Sequence, residues 1–210
     1  MSGTNDEKGG FFEEVYGLDD AGDTRRLYDR HAAGYDAEVR ASGYVSPRRS
    51  AEALAGLLAD RATPILDLGC GTGLSGEAFR DAGFTVLDGT DFSAEMLAVA
   101  EGKGIYRRLT KGDLHEPIPA APGAYSVIAA IGVFSPGHAP AEMIDTVLDL
   151  LPPGGLFVFT LNDHALEEKV YEARTTAAVE TGRAEIAFNE YGEHLTALAM
   201  GSRIYVLRRV

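Results

Sequence analysis

Asp67-Leu68-Gly69-Cys70-Gly71-Thr72-Gly73 follows an apolar run, Pro64 to Leu68, and opens a segment of helical period, Leu74 to Ala82, that closes on Gly83. Glycine lets the backbone turn tightly and approach a ligand closely, because no Cβ stands in the way. In a doubly wound α/β fold the turn after the first strand is where an adenosine-containing ligand sits, against the N-terminus of the next helix. An ordinary tight turn also uses glycine, but alternating glycines at 69, 71 and 73 are more than turn chemistry asks for.

Outward from this loop the chain keeps alternating. Strand-length apolar runs recur at Phe84–Thr90, Tyr106–Lys111, Ala124–Ala130, Leu156–Thr160, Ala184–Asn189 and Arg203–Arg208. Between them Ser93 caps a helix containing Met96 and Leu97, and Ala139–Leu151 carries Met143, Val147, Leu150 and Leu151 on one face. Pro152-Pro153-Gly154-Gly155 stops that helix, and a further one is predicted from about Ala165 to Glu180. This is the pattern of a parallel sheet with crossover helices. The final two strands lack a helical crossover, which makes them an antiparallel pair at the edge. The predicted fold is α/β: a doubly wound, Rossmann-like, seven-stranded, mostly parallel sheet with an antiparallel last strand and a helical N-terminal cap.

The cap is Tyr-rich. A helix is predicted over Asp23–Arg40, with Leu27, His31 or Ala32, Tyr35 and Val39 at helical spacing, and its thin apolar face must lean on something else. Ser46-Pro47 reads as a hydroxyl N-cap and a first-turn proline of a second helix, with Leu54, Leu57 and Leu58 as its buried stripe and an end near Asp60. Residues 1–10 are too polar to offset the cost of ordering and read as a disordered tail. Residues 11–210 read as one domain, with 11–60 forming the cap and first helix and 61–210 the ligand-binding sheet.

Composition bounds the function. With 45% hydrophobic and 24% charged residues the chain is an ordinary globular protein. Its 32 acids against 19 Lys and Arg give a net charge of -13, which repels phosphate backbones and anionic lipid heads, so neither nucleic acid nor a membrane is an expected partner. No apolar run approaches the roughly 20 residues that cross a bilayer. The N-terminus lacks the basic start and apolar stretch of a secretory signal, and the lone Cys70 suits a reducing compartment, so the expected location is cytoplasmic. Nothing in the sequence speaks to oligomeric state.

The glycine loop admits more than one ligand. Read one frame later, Gly71-Thr72-Gly73-Leu74-Ser75-Gly76 is the dinucleotide fingerprint G-x-G-x-x-G, and Asp91 lies about where a ribose carboxylate should. Charge argues against it, because a pyrophosphate is held by bare backbone N–H groups and Asp67 would repel it. S-adenosylmethionine carries an ammonium and a sulfonium and no phosphate, so an acid at the loop suits it better. An NAD(P)-dependent oxidoreductase stays open as the alternative, as does a protein that binds S-adenosylmethionine without chemistry.

D-L-G-C-G-T-G resembles motif I of the class I S-adenosylmethionine-dependent methyltransferases, and later stretches match in order and spacing. Gly89-Thr90-Asp91-Phe92-Ser93 with Met96-Leu97 is similar to the G-x-D-x-S…M-L stretch after the second strand, whose acid holds both ribose hydroxyls in the family. Gly112-Asp113-Leu114 is similar to the G-D-[AL] turn whose acid accepts from the adenine amino group. Ala124-Tyr125-Ser126-Val127-Ile128 through Leu150-Leu151-Pro152-Pro153-Gly154-Gly155 matches the fourth strand, its helix and the L-x-P-G-G turn. Tyr28-Asp29-Arg30-His31-Ala32-Ala33-Gly34-Tyr35-Asp36 is similar to the Y-D-x-x-A-x-x-Y-D cap helix of the small bacterial and Williams–Beuren-type methyltransferase-like group, where a tyrosine covers the methionine end of the cofactor.

The resemblance implies S-adenosylmethionine as cofactor and S-adenosylhomocysteine as its product. It places Asp67, Gly69, Cys70, Gly71 and Gly73 of the loop against the cofactor, with Asp91, Phe92, Met96, Asp113, Leu114 and Ile131, and with Tyr28 and Tyr35 from the cap. Phe92 either stacks on the adenine or packs in the core. Cys70 is expected to be inert, because no His or Lys stands beside it. One departure is Ser126, where the family has an acid; that acid is mainly structural, so local packing is what it bears on.

Acceptor contacts are expected from the cap, from Gly132 to His138 and from Asn162 to His164, with Phe134, His138, Asn162 and His164 as the candidates. His115, His138 and His164 follow strands on the ligand side and have ordinary pKa values near neutrality, although a loop histidine is more often simply solvated. No catalytic residue is assigned, because positioning alone can supply about 7–11 kcal/mol. Ala130-Ile131-Gly132-Val133 stands where amino-directed DNA methyltransferases carry an N-P-P-Y turn, and this apolar stretch favours a small-molecule substrate. No motif with metal-ligand spacing is present, so no metal is expected.

Overall fold

The structure is a computed structural model and describes residues 21–135 and 138–210. The chain runs α1 (Ala21–Ala41), α2 (Ser46–Leu57), β1 (Ile65–Leu68), α3 (Leu74–Asp81), β2 (Leu87–Asp91), α4 (Ala94–Gly102) and β3 (Arg108–Lys111). It continues with β4 (Val127–Phe134), α5 (Met143–Leu150), β5 (Leu156–Asn162), α6 (Asp163–Glu167), α7 (Val170–Glu180), β6 (Ala184–Leu195), a 3-10 turn (Thr196–Leu198) and β7 (Met200–Arg209). The seven strands form one sheet in the order β3-β2-β1-β4-β5-β7-β6. β1 pairs parallel with β2 and β4, and β7 lies antiparallel between β5 and β6, from Leu156↔Arg208 to Asn162↔Ser202 on the β5 side. The order reverses at β1, the switch point where doubly wound sheets open a crevice beyond the strands' carboxyl ends.

Both faces of the central strands are covered, so alternate residues serve opposite cores. Ile65, Val127, Ala129 and Val158 pack beneath α2 and α3 with Leu54, Phe79 and Phe84. Leu66, Leu68, Ile128, Phe157 and Phe159 face α5 and α7 with Ile144, Val147 and Leu148.

Element ends differ from the sequence expectations where side-chain pattern does not set them. β4 runs on to Phe134 through Gly132, whose φ of +74° accompanies a register shift between Ala130 and Phe134. β2 starts later than expected, at Leu87, and β6 extends to Leu195. The helix expected over Ala165–Glu180 is two helices, because Lys169 adopts φ +58° and interrupts the ladder. The expected tail, residues 1–10, lies outside the described residues.

Ser46 does not cap α2. Val45 is the capping residue, and the Ser46 hydroxyl is buried against His194 Nδ1 at 2.7 Å and Ser202 Oγ at 2.8 Å. Around this contact the α1–α2 connection is clamped to the end of the β6–β7 hairpin: Val45 N–H donates to His194 O at 2.9 Å, and Thr196 and Ala197 N–H donate to Gly43 and Ser42 O. Burial pushes the His194 imidazole down to about 4, so it is neutral at physiological pH. Ser126 is exposed, and the acid that serves Tyr125 comes from β2 instead, the Tyr125 hydroxyl donating to Asp88 Oδ2 at 2.7 Å.

Candidate active site

A cavity of about 840 Å³, counted out to its mouth, opens at the carboxyl ends of β1, β2, β3 and β4. Its floor is the glycine loop. Gly69, Gly71 and Gly73 all have left-handed φ, of +64°, +54° and +94°, a region that costs other residues strain. A Cβ on Gly69 would stand 2.3 Å from Val133 Cγ1, whereas one on Gly71 would meet no protein atom. Gly71 therefore presents bare backbone to the cavity, and Gly69 lets β4 come close.

Asp91, at the end of β2, fixes this loop. Its Oδ2 accepts from Gly71 N–H and its Oδ1 from Ser93 N–H, both at 2.9 Å. Burial pushes the carboxyl up to about 6 against those bonds, and no cation stands beside it among the described cavity residues. Each oxygen has further acceptor capacity, and Asp91 lines the cavity. A buried carboxylate at bare glycine backbone is the donor and acceptor set that an adenosine ribose and a cationic tail require. Asp113 follows β3 and is half-exposed. Burial works against its ionisation, but the N–H and imidazole of His115 outweigh it and hold the carboxyl below its ordinary value.

The roof is α1. Asp29 accepts from Ser93 Oγ at 2.5 Å, Asp36 accepts from Thr72 Oγ1 and pairs with Lys103, and Arg40 pairs with Glu77. Tyr28 reaches across the cavity to His138, its hydroxyl 3.1 Å from Nε2, while Ser135 Oγ holds Nδ1 at 2.9 Å. The Tyr28 ring also meets Tyr35 at 5.8 Å and Phe92 edge-on at 6.0 Å. These contacts are what the thin face of α1 leans on.

The residues 39–195 match the profile of the methyltransferase-domain family, which is most of the chain. The chain belongs to the class I S-adenosylmethionine-dependent methyltransferases. Human methyltransferase-like protein 27 is 33% identical over 177 residues, covering 80% of this chain and 72% of that protein. A malonyl-[acyl-carrier protein] O-methyltransferase from Halalkalibacterium halodurans is 34% identical over 108 residues, and there the match spans only 40% of the relative. Among solved structures, a chain of the complex between the Haloferax volcanii Trm112 methyltransferase activator and a methyltransferase superposes with a TM-score of 0.64 at 18% identity, covering 87% of this chain and 97% of that one. A Mesorhizobium loti S-adenosylmethionine-dependent methyltransferase gives 0.56 at 18% identity, over 75% and 96%. As a class I methyltransferase the protein takes S-adenosylmethionine as its cofactor, and the oxidoreductase alternative is set aside. The third glycine of that alternative, Gly76, lies in α3, where a Cβ would strike the Tyr106 hydroxyl at 2.5 Å.

Of the residues expected from sequence, Gly69, Cys70, Gly71, Asp91, Phe92, Asp113, Leu114, Ile131, Tyr28, Tyr35 and His138 line this methyltransferase cavity. Asp67, Gly73 and Met96 do not. Asp67 is fully buried behind the loop, its Oδ2 accepting from Ser75 at 2.6 Å and Tyr106 at 2.7 Å, and its Oδ1 has no partner. It acts on a ligand only through its field, and burial pushes it up to about 6. Gly73 packs on the Tyr106 ring, and Met96 is wholly in the core.

The acceptor candidates divide similarly. Phe134 is a core residue, 1% exposed and within 5.6 Å of the Phe159 and Tyr171 rings, because the bulge at Gly132 turns it inward. Asn162 caps α6 by accepting from Ala165 N–H at 2.9 Å, and His164 stands on that helix away from the cavity. Sequence reasoning missed Thr24, Tyr44 and Pro47. Thr24 lies one helical turn before Tyr28 and the period of α1 could have revealed it. Tyr44 had no signal, since its place depends on the clamp to His194, whose ring it meets edge-on at 5.2 Å.

Proposed function

We propose that this methyltransferase acts on a small-molecule acceptor, by in-line displacement within the cavity under α1. The observation that carries the reading is the bond from Tyr28 to His138, which ties α1 to the segment after β4 across the cavity and so favours an acceptor small enough to sit beneath it. In this reading Asp91 holds the ribose hydroxyls and Asp113 the adenine amino group, with Phe92 and Leu114 beside the base. Gly69, Cys70 and Gly71 offer backbone to the rest of the cofactor, and Tyr35 covers its methionine end.

Held there by Asp91, Asp113 and the glycine-loop backbone, S-adenosylmethionine would supply an electrophilic methyl group to a lone pair of the acceptor. The chain's own residues bind and orient. α1 excludes water, and Ile131, Val133 and Ala139 give the acceptor an apolar wall. The Cys70 thiol takes no part, since burial beside Asp67 and Asp91 pushes it far up and keeps it protonated.

The test is methyl transfer from labelled S-adenosylmethionine into a cell extract split into metabolite, protein and RNA fractions. Label is expected in the metabolite fraction. Label confined to protein or RNA would sink the small-molecule reading.

A further inference from the structure

The cavity wall carries charge of one sign. Apart from its histidines, the only titratable carboxylates or bases facing it among the described residues are Asp91 and Asp113, and no Lys or Arg does. Basic side chains around α1 are paired with acids: Arg25 lies 3.9 Å from Asp29 and also acts on Asp113, Lys103 bonds Asp36 and Glu77, and Arg40 pairs with Glu77. Outside the described residues the sequence adds one basic side chain, Lys8, against Asp6, Glu7, Glu13, Glu14, Asp19 and Asp20. An acceptor bearing a carboxylate or phosphate would give up hydration here with no lining Lys or Arg, among the described residues, to pair with it.

What the wall offers instead is rings and neutral polar groups. Tyr28 meets Tyr35, Phe92 and His138 at centroid distances of 5.8, 6.0 and 5.6 Å, tilted or edge-on. Tyr44 joins them from the other side of the cavity, its hydroxyl beside Gly132. Rings in tilted and edge-on contact extend the same interaction to one more flat ring. The hydroxyls of Tyr28 and Tyr44 supply hydrogen bonds without charge.

We propose that the acceptor is an uncharged, flat aromatic molecule whose nucleophile is a ring hydroxyl or ring amine, and that anionic acceptors are rejected. The proposal rests on the methyl-transfer reading of the same cavity, so its test separates the two. The full-length protein is first titrated with S-adenosylhomocysteine by calorimetry. The loaded protein is then titrated at neutral pH with naphthol and naphthylamine, and with the hydroxynaphthoate and aminonaphthoate that differ from them by one carboxylate. Each neutral probe is expected to bind at least about tenfold more tightly than its carboxylate. Tyr44→Arg, which places a cation on the wall, should bring the carboxylates to parity or better, read on a variant whose melting temperature stays near the parent's so that the fold is known to be kept. Failure of S-adenosylhomocysteine to bind overturns the methyl-transfer reading and this proposal together. Binding of S-adenosylhomocysteine with equal or tighter carboxylate affinity in the parent, or with no binding of either neutral probe, overturns the acceptor class alone.

Discussion

The carboxylate of Asp91 accepts a hydrogen bond from the backbone N–H of Gly71 at 2.9 Å, so the end of β2 holds the centre of the glycine loop that follows β1. Asp91 thus shapes the floor of the cavity as well as facing into it. Replacing it by Ala removes the loop's tether and, in the proposed reading, the acceptor for two ribose hydroxyls together. At about 1.5–3 kcal/mol for a hydrogen bond to a charged group, Asp91→Ala should weaken S-adenosylmethionine binding roughly 10- to 1,000-fold. Asp113→Ala should cost less, because its half-exposed carboxylate is already occupied by His115. Calorimetric titration checks both, on variants shown to melt near the parent's temperature; binding by Asp91→Ala within a factor of two of the parent would exclude the ribose assignment.

Affinity should also depend on pH. The Asp91 carboxyl is raised to about 6 in the unliganded fold, and hydroxyl donors favour its ionised form. Ligand binding therefore strengthens as pH rises toward about 6, levels off above it, and is lost as pH falls through that value. Asp91→Asn cannot titrate and should bind weakly at every pH. An S-adenosylhomocysteine affinity of the parent that is flat from about pH 5 to pH 7.5 contradicts this.

Ligand should quieten the roof. α1 is held by a few side-chain bonds, to Ser93, Thr72, Lys103 and His138, rather than by a broad apolar face. Few buried apolar contacts mean low local stability, so amide exchange across Ala21–Ala41 is expected to slow on adding S-adenosylhomocysteine. Tyr28→Phe, which keeps the ring and loses the bond to His138, should show a smaller slowing. Identical exchange with and without ligand would remove the lid role.

Phe134→Ala tests the inward turn of β4. A 1%-exposed ring among Phe157, Phe159 and Tyr171 should cost about 3–5 kcal/mol of stability in urea unfolding when truncated. Below its melting range the variant should keep S-adenosylhomocysteine affinity within a few-fold of the parent. Unchanged stability with impaired ligand binding would return Phe134 to the cavity wall.

The sheet was legible because strand burial writes itself into sequence. Ile65-Leu66 and Phe157-Val158-Phe159 must be apolar on both faces, and glycine stands at the left-handed turns of the cavity loop, at 69, 71 and 73. The cavity floor was legible for the same reason, since loop glycines and the acids after β2 and β3 sit at fixed offsets from strand ends. What could not be read depended on contacts between distant segments. Tyr44 is placed by His194, Phe134 is turned inward by a bulge whose only local trace is Gly132, and Asp67 is withdrawn behind the loop by Ser75 and Tyr106. Local chemistry also misled at Ser46, whose hydroxyl has capping character but finds stronger partners in His194 and Ser202.

The clamp between Ser42–Val45 and the β6–β7 hairpin gives the roof a mechanical anchor at the rim of the cavity, on strands that do not line it. α1 runs directly into those residues, and they share backbone bonds with His194 and Thr196 on the opposite half of the sheet. A closed roof and an intact hairpin end are thus one thermodynamic unit, and linkage between them runs equally in both directions. Loosening the hairpin at Ser202, which touches no cavity atom, should raise the dissociation constant of the cofactor. By the same reciprocity, a bound cofactor stiffens a corner of the β-sheet that it never meets.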